Sequence, residues 1–279
     1  MKKLATAALA SMSMMGFNNA AATTITFNNF SDVSSLQLNG SAAGIGNPVG
    51  GALRLTNDLG QGGSAFLKNS ISLAADASFS SFFSFRIDNP MGISDSDGQG
   101  ADGIVFAVQT VANNVGGIGG GIGYQNIAKS VGIEFDTWDN GGWDENDGNH
   151  LGIDLNGSID SVVQTHVGSR MNNGNIWYAW VDYNGATDLL EVRLSENSNR
   201  PNTSALSLTR DLTGDLQGTN AFVGFTSGTG AAGGNHDILS WQFVNTFQPI
   251  GHNNVPEPAS LALLGAGLFG LSRIRRGKP

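Results

Sequence analysis

The sequence contains no cysteine, and only 13% of its 279 residues are charged. Without cysteines a secreted form has no disulfides, so its stability must come from its core and from any bound metal. Basic residues are also few: 14 Lys and Arg stand against 23 Asp and Glu, which gives a net charge of −9. Nucleic-acid binding requires a basic surface, so this composition argues against nucleic acid as a partner.

Long helical patterns are absent from the chain between its two ends. The 40 glycines follow no strict period, which excludes collagen and favours a turn-rich β protein. Runs rich in β-branched and aromatic residues lie between the turns and predict strands. These predicted strands are 78–87, 103–108, 130–135, 151–155, 176–183, 189–194, 221–225 and 238–244. Many short strands within roughly 230 residues predict one all-β sandwich or jelly-roll domain.

The N-terminus has the pattern of a secretory signal peptide. A basic start at Lys2 and Lys3 precedes a mostly apolar run over 4–17, and small residues at 20–22 offer a cleavage site. We therefore expect residues 1–22 to be a signal peptide that is removed before Thr23. This predicts an exported protein.

The C-terminus contains a second targeting pattern. A Val-Pro-Glu-Pro sequence at 255–258 precedes an apolar segment at 259–271 and a basic tail at 273–279. The apolar segment is shorter than the ~20 residues of an ordinary membrane-spanning helix, so a plain tail anchor is the weaker alternative. The order of these parts resembles the PEP-CTERM sorting signal of bacteria. The resemblance implies a body at 23–246, a linker at 247–254, a signal at 255–279 and cleavage by an exosortase-type enzyme at the cell envelope.

Acidic and amide side chains concentrate between 131 and 158. Glu134 and Asp136 alternate along a predicted strand, so they lie on one face, where two carboxylates repel each other. A divalent cation such as calcium would remove this repulsion, because calcium prefers oxygen ligands. His150 adds a nitrogen ligand that suits manganese or zinc, so two adjacent metals are possible. The alternative is an acidic loop in solvent.

This segment resembles the metal-binding stretch of legume lectins, with Glu-Phe-Asp-Thr-aromatic-x-Asn, then Trp-Asp and a later His. The family's roles, carried onto this sequence, imply metal ligands at Glu134, Asp136, the Trp138 carbonyl, Asn140, Asp144 and His150. Asp136 and Asp144 would bridge calcium and the transition metal. Asp144 lies six residues before His150, one more than usual, and therefore Glu145 or Asp147 could replace it.

Other stretches extend the resemblance to the carbohydrate site. Ala101-Asp102-Gly103 is similar to a family motif in which a cis peptide precedes an aspartate that accepts hydrogen bonds from sugar hydroxyls. The glycine-rich run at 116–123 is similar to the loop whose backbone N–H binds the sugar. Here the resemblance implies carbohydrate contacts from Asp102, Gly119 or Gly120, Trp138, Asn140, Ala231 and Ala232. We expect His236 and Asp237 to brace the loop at 230–234 rather than to bind ligand.

The resemblance implies a concanavalin-like sandwich of two antiparallel sheets, followed by a short C-terminal apolar helix. It implies a non-catalytic, calcium-dependent lectin that binds glycans or extracellular polysaccharide, with pairing of sandwiches as a possible oligomer. One alternative is a structural matrix protein that keeps the fold without binding sugar. Another is a sandwich glycoside hydrolase, since Glu134, Asp136 and Asp139 follow a Glu-x-Asp-x-x-Glu pattern with Asp in the last position.

Overall fold

A computed structural model describes residues 22–46, 50–73 and 76–251 of the chain. The described residues form an all-β structure with two antiparallel eight-stranded sheets, one short α-helix and two 3₁₀ helices, Gly119–Gly121 and Gly141–Trp143. In chain order these elements are β1 (Thr24–Phe27), β2 (Leu36–Gly40), β3 (Ala43–Ile45), β4 (Ala52–Thr56), β5 (Gly62–Leu67), β6 (Ile71–Ser72), β7 (Phe79–Gly92), β8 (Gly103–Gln109), β9 (Ser130–Asp136), β10 (His150–Leu155), β11 (Val163–His166), β12 (Trp177–Asn184), β13 (Leu189–Ser195), β14 (Leu206–Thr209), α1 (Leu212–Leu216), β15 (Asn220–Gly228) and β16 (Ala232–Val244).

The two sheets divide the strands between a front and a back layer. The front sheet has the order β11-β10-β9-β8-β15-β5-β2, with β6 also paired to β15. The back sheet has the order β14-β13-β12-β7-β16-β4-β3, with β1 also paired to β16. The acidic segment is therefore central in the front sheet, because β9 lies between β8 and β10.

Aromatic residues from both sheets fill the space between them. In β7, Phe83 and Phe85 point to one face because they are two residues apart, and both are fully buried. The ring of Phe83 lies 5.6 Å from that of Phe135 in β9 and 5.0 Å from that of Phe225 in β15. Alternation then sends the side chains between these core positions, including Glu134, to the outer face of the front sheet.

A smaller apolar cluster lies on that outer face, under the segment that joins β8 to β9. Ile122 and Tyr124 from this segment pack with Val105 and Phe66 of the sheet. The Tyr124 hydroxyl is 2.6 Å from the Ser130 hydroxyl, which satisfies a buried polar group. This cluster holds the glycine-rich run at 116–123 against the front sheet, beside the acidic segment.

All eight predicted strands are present, which confirms the all-β fold with two antiparallel sheets. The sequence patterns did not predict the short strands β1–β6, β11 and β14, nor α1, because most of them span only two to six residues. The predicted signal peptide and C-terminal apolar helix lie outside the described residues, apart from Ala22. Within the part that is described, no helix is long and apolar enough to cross a membrane.

Candidate functional site

The register of the front sheet brings the predicted site residues together at one end of β9. Asp136 is paired with His150 of β10 on one side and with Gly103 of β8 on the other. Asp102 directly precedes Gly103, so the predicted sugar-binding and metal-binding segments meet at Asp136. This arrangement depends on the pairing of β8 with β9, which joins Gly103 to Asp136 although the two residues are far apart in sequence.

Three buried side chains form the centre of the site. One ligand atom from each of Glu134, Asp136 and His150 lies within 4.8 Å of the other two. The His150 Nε2 atom is 3.0 Å from Glu134 Oε1, and its Nδ1 atom is 2.9 Å from the Asp147 carbonyl oxygen. The imidazole ring is thus held on both sides in a fixed orientation toward the acidic group.

The structure favours Asp144 over the two alternatives in the same loop. Asp144 is 3% exposed, and its carboxylate accepts a hydrogen bond from the Asn140 N–H. The Asp147 carboxylate instead lies 3.0 Å from the imidazole of His166 and accepts the N–H of Asn149. Glu145 is exposed. Asp144 is therefore the member of this loop that faces the buried acidic group.

The electrostatics of this group favour a bound cation. Burial raises the pKa of Asp136 well above its usual range, and the nearby charge of Glu134 raises it further. Burial also raises the pKa of Asp144 to about 6. For Asp102, burial and then the charge of Asp144 raise the pKa to about 7. Buried carboxylates that destabilise each other in this way are relieved by a divalent cation, which these oxygen donors fit.

Two further residues of the site were not predicted from the sequence. The Ser161 hydroxyl oxygen lies 2.7 Å from Glu134 Oε1 and 2.7 Å from Asp154 Oδ1, so its hydrogen bond is shared by the two acids. Asp154 is fully buried, and its other oxygen has no hydrogen-bond partner within the described part of the chain. Asp154 follows His150 by four positions in the same strand, so the period-two pattern could have identified it.

Asp102 is attached through its backbone to the segment that follows β9, the strand of Glu134 and Asp136. The Ala101–Asp102 peptide bond is cis, as the resemblance implied. The Asp102 N–H donates to the Gly228 carbonyl at 3.1 Å, and the Asp102 carbonyl accepts the Thr137 N–H at 2.9 Å. Its side chain is 4% exposed, and no described residue donates to its Oδ2 atom. Asp102 thus offers an acceptor that a ligand hydroxyl could use.

The glycine-rich run contacts Asn140 directly. The Gly119 N–H already donates to the Thr229 carbonyl at 3.1 Å, which leaves Gly120 as the better of the two predicted donors. A Cβ atom on Gly120 would lie only 2.2 Å from Asn140 Oδ1, so glycine permits this close approach. The Nδ2 atom of Asn140 is buried and lacks a hydrogen-bond partner among the residues described.

The remaining predicted contacts differ in exposure. Trp138 is half-buried beside Asn140, and Ala231 is exposed in the loop before β16. Ala232 begins β16 and is only 3% exposed, so Ala231 alone of this pair offers surface to a ligand. His236 is buried with its Nδ1 atom 2.6 Å from the Thr56 hydroxyl, as expected for a bracing residue.

Asp237 braces the same strand through charge. Its buried carboxylate accepts two hydrogen bonds of 2.8 Å from the Arg54 guanidinium, and Arg86 lies 3.5 Å away. The ion pair joins β16 to β4, on the back sheet and away from the acidic group. Asp237 therefore links β16 to β4, and its role in bracing the loop at 230–234 stays a prediction.

The carboxylates of the hydrolase alternative are committed to other contacts. Asp139 accepts the Gly141 N–H at 2.6 Å in a local turn, and it is not part of the buried group formed by Glu134, Asp136 and His150. Glu134 is hydrogen-bonded to Ser161 and His150. These contacts fit metal binding and do not present a pair of free carboxylates to a glycosidic bond.

Comparison with known proteins gives a consistent result over most of the chain. The legume lectin domain family matches residues 22–258, and the PEP-CTERM protein-sorting motif matches residues 254–276. Lectin DB58 from Vigna unguiculata subsp. cylindrica is 33% identical over 232 residues, which cover 75% of this chain and 79% of that protein. The L-type lectin-domain containing receptor kinase VIII.1 from Arabidopsis thaliana is 31% identical over 248 residues, but the match covers only 33% of that protein.

Solved structures resemble the fold just described. Acidic lectin from winged bean, complexed with methyl-α-D-galactose, has a TM-score of 0.68 and 27% identity, and the match covers 81% of this chain and 99% of that one. The metal-free form of lectin I-B4 from Griffonia simplicifolia has a TM-score of 0.64 and 27% identity. The match covers 79% of this chain and 98% of that lectin. Both likenesses extend across nearly the whole of the compared lectins.

Proposed function

We propose, from the premise that this chain belongs to the legume lectin family, that it is a calcium-dependent glycan-binding protein. The family and the fold are those of non-catalytic, carbohydrate-binding proteins. The sorting motif at 254–276 implies export to the cell surface or the extracellular space. The calcium dependence, the site residues and the processing of the two ends are proposed below.

One observation supports the site most strongly. A buried acceptor, Asp102 Oδ2, and a buried donor, Asn140 Nδ2, both lack hydrogen-bond partners among the described residues. Each lies on a segment joined to the acidic group, through Thr137 and Asp144 respectively. A buried polar group without a partner costs about 1–3 kcal/mol, so such atoms are expected where a ligand supplies the missing hydrogen bonds.

Calcium would be held by oxygen atoms of the acidic segment. Asp136, Asn140, Asp144 and the Trp138 carbonyl are the proposed calcium ligands. Glu134 and His150 would hold a second metal, manganese or zinc, together with the two bridging aspartates. Bound there, the cations would neutralise the buried carboxylates and fix the loop that contains Asn140. Asp154 and Ser161 would then orient Glu134 from behind.

Sugar recognition would combine polar groups with an apolar surface. Asp102 would accept hydrogen bonds from two sugar hydroxyls, while the Asn140 amide and the Gly120 N–H would donate. Trp138 would offer its half-buried ring to the apolar face of the sugar, and Ala231 would form part of the wall. A site of this kind is shallow, and single sugars are expected to bind in the millimolar range, about −4 kcal/mol. Useful affinity would require several copies, which favours homo-oligomers or dense display.

The two ends would act only during export. We propose that residues 1–22 are removed on secretion and that an exosortase-type enzyme cleaves the tail near residue 258. Intact-mass measurement of the exported protein should give a chain that begins at Thr23 and lacks Arg275 and Arg276. A mature mass that includes those arginines would contradict tail cleavage. It would favour the alternative in which the C-terminal segment is a plain tail anchor.

A glycan array tests the proposed function. The purified chain should bind a defined group of glycans in the presence of calcium and lose that binding in excess EDTA. Asp102→Asn should remove glycan binding while calcium binding, measured by calorimetry, is retained. Glycan binding that persists in EDTA would contradict calcium dependence. A chain that binds calcium but no glycan or polysaccharide would favour the structural matrix protein, which the sorting motif also suits.

A further inference from the structure

A short loop over residues 94–99 precedes the carbohydrate segment and folds back on itself. Ser94 and Gln99 form an isolated antiparallel bridge, and the Asp95 N–H donates to the Gly98 carbonyl at 3.1 Å. The Asp95 Oδ1 atom accepts the N–H groups of Asp97 and Gly98, both at 3.1 Å. One carboxylate oxygen of Asp95 therefore closes the turn, and the other oxygen is free for a contact outside it.

Arg170 attaches this loop to the body of the protein. Its Nε atom donates to Asp97 Oδ2 at 3.1 Å, and its Nη2 atom donates to the Gln99 carbonyl at 3.1 Å. A Cβ atom on Gly98 would lie only 2.5 Å from Arg170 Nη1, so the guanidinium packs closely against the turn at this glycine. These contacts fix the position of the loop at 94–99 relative to the body of the protein.

The second oxygen of Asp95 contacts the metal-binding segment. Asp95 Oδ2 accepts the Asp139 N–H at 3.0 Å, across 44 positions of sequence. A Cβ atom on Gly148 would lie 2.5 Å from the same oxygen, so this glycine leaves the space that the carboxylate occupies. Asp95 therefore lies between the beginning and the end of the acidic loop that contains Asn140 and Asp144.

The Asp139 N–H belongs to the same planar peptide as the Trp138 carbonyl, and in a trans peptide the two point in opposite directions. A carboxylate that holds the N–H therefore also fixes the direction of the carbonyl. The Trp138 N–H donates in turn to Asp136 Oδ1 at 2.7 Å. Carboxylates therefore hold the peptide groups on both sides of Trp138. Asp136 accepts the Trp138 N–H, and Asp95 accepts the N–H of the next residue, Asp139.

We propose that Asp95 is a positioning residue for the calcium site, because it fixes the direction in which the Trp138 carbonyl points. The inference rests on the proposed function, in which that carbonyl is a calcium ligand. Asp95 itself does not bind the cation or the sugar. Its contribution is to hold the ligand before calcium arrives, and loss of such an outer contact typically weakens metal affinity 10–100-fold.

Asp95→Asn removes this contact selectively. The amide oxygen of asparagine can still accept from the Asp97 and Gly98 N–H groups, whereas its NH₂ group would face the Asp139 N–H, a donor opposite a donor. We expect the calcium dissociation constant of the chelator-treated chain to rise about tenfold, measured by calorimetry with calcium alone. Terbium luminescence excited through tryptophan should fall at equal terbium concentration, while the thermal midpoint in EDTA should stay close to that of the wild type.

Asp97→Asn is the matched control, because it weakens the ion pair with Arg170 and changes the charge beside Asp95 while Asp95 Oδ2 still accepts the Asp139 N–H. It should bind calcium like the wild type. If Asp95→Asn fails to fold, Gly148→Ala provides the second test, since its Cβ would displace the Asp95 carboxylate and should weaken calcium binding similarly. Wild-type affinity in Asp95→Asn, or equal loss in both Asp95→Asn and Asp97→Asn, would overturn this inference alone. A wild-type chain that binds no calcium would overturn the proposed function as well.

Discussion

The Thr137 N–H donates to the Asp102 carbonyl oxygen at 2.9 Å, and this contact joins the two halves of the site. Thr137 directly follows Asp136, whose carboxylate belongs to the proposed metal group. Asp102 directly precedes β8, which pairs with β9 throughout its length. The position of Asp102, the proposed sugar-binding residue, is therefore set by the same strand that carries the proposed metal ligands Glu134 and Asp136. This explains how a cation could influence sugar binding without touching the sugar.

Gly120→Ala should impair glycan binding without unfolding the protein. The added Cβ would lie 2.2 Å from Asn140 Oδ1, so the Asn140 side chain must move from its position beside the glycine-rich run. We expect at least a tenfold loss of glycan affinity, measured on an array or by calorimetry, and a thermal midpoint within a few degrees of the wild type.

Gly117→Ala is the control for this prediction. No atom outside its chain neighbours lies within 4 Å of a Cβ at that position, and its backbone conformation is open to alanine. Its glycan affinity should match that of the wild type. Wild-type affinity in Gly120→Ala would contradict the proposed dependence of sugar binding on the contact between Gly120 and Asn140.

Asp144→Asn separates metal binding from stability. The substitution removes a proposed bridging ligand, and we expect calcium affinity to fall at least tenfold. It also removes a negative charge that raises the pKa of both Asp136 and Asp102. The midpoint of thermal unfolding in EDTA should therefore rise, because the buried carboxylates repel each other less.

Asp147→Asn tests the alternative ligand in the same loop. Its carboxylate faces His166 and the Asn149 N–H rather than the acidic group, so calcium affinity should change less than twofold. Calorimetry on both variants decides between the two aspartates. A larger loss in Asp147→Asn than in Asp144→Asn would assign the bridging role to Asp147.

The sequence predicted the longer strands and the local motifs but not the contacts between distant segments. Glu134, Asp136 and His150 could be predicted because alternation and one compact segment place them together. Asp95 and Ser161 could not, because each reaches the acidic segment through a loop whose path depends on the whole fold. Ala232 was a wrong choice of exposed wall residue for a similar reason: β16 begins there, six positions before the strand predicted at 238–244, and Ala232 is buried.

Asp237→Asn should destabilise the fold without affecting the site. Its side chain is 0% exposed and forms a paired contact with Arg54. Loss of one member of a fully buried ion pair typically costs about 3–5 kcal/mol. Because the Arg54 side chain is 23% exposed, water partly replaces its lost partner, and we expect a cost of about 1–3 kcal/mol. Urea unfolding should show the lower stability with an unchanged slope. Glu191→Gln, which alters a more exposed contact to Arg193, should cost less than about 1 kcal/mol.

His236 should make the stability of the protein depend on pH between about 6.5 and 4. Burial lowers the pKa of this fully buried imidazole from 6.5 to about 4, against smaller raising effects of the Gly234 carbonyl and Asp88. Above pH 6.5 the ring is neutral in both the folded and unfolded chain, so the full stability is present. As the pH falls toward 4, only the unfolded chain takes up the proton, and stability is lost.

A lowering of about 2.5 pKa units corresponds to roughly 3 kcal/mol at 1.36 kcal/mol per unit. His236→Asn removes the titrating ring and keeps a polar atom near the Thr56 hydroxyl. Urea unfolding of both proteins in saturating calcium, at several pH values from 7.5 to 4, isolates this residue, because all other titrating groups are shared. The difference in unfolding free energy should shift in favour of the variant by up to roughly 3 kcal/mol as the pH falls. A constant difference across this range would show that the imidazole takes up its proton over the same pH range in the folded and unfolded chain, and would contradict the lowered pKa.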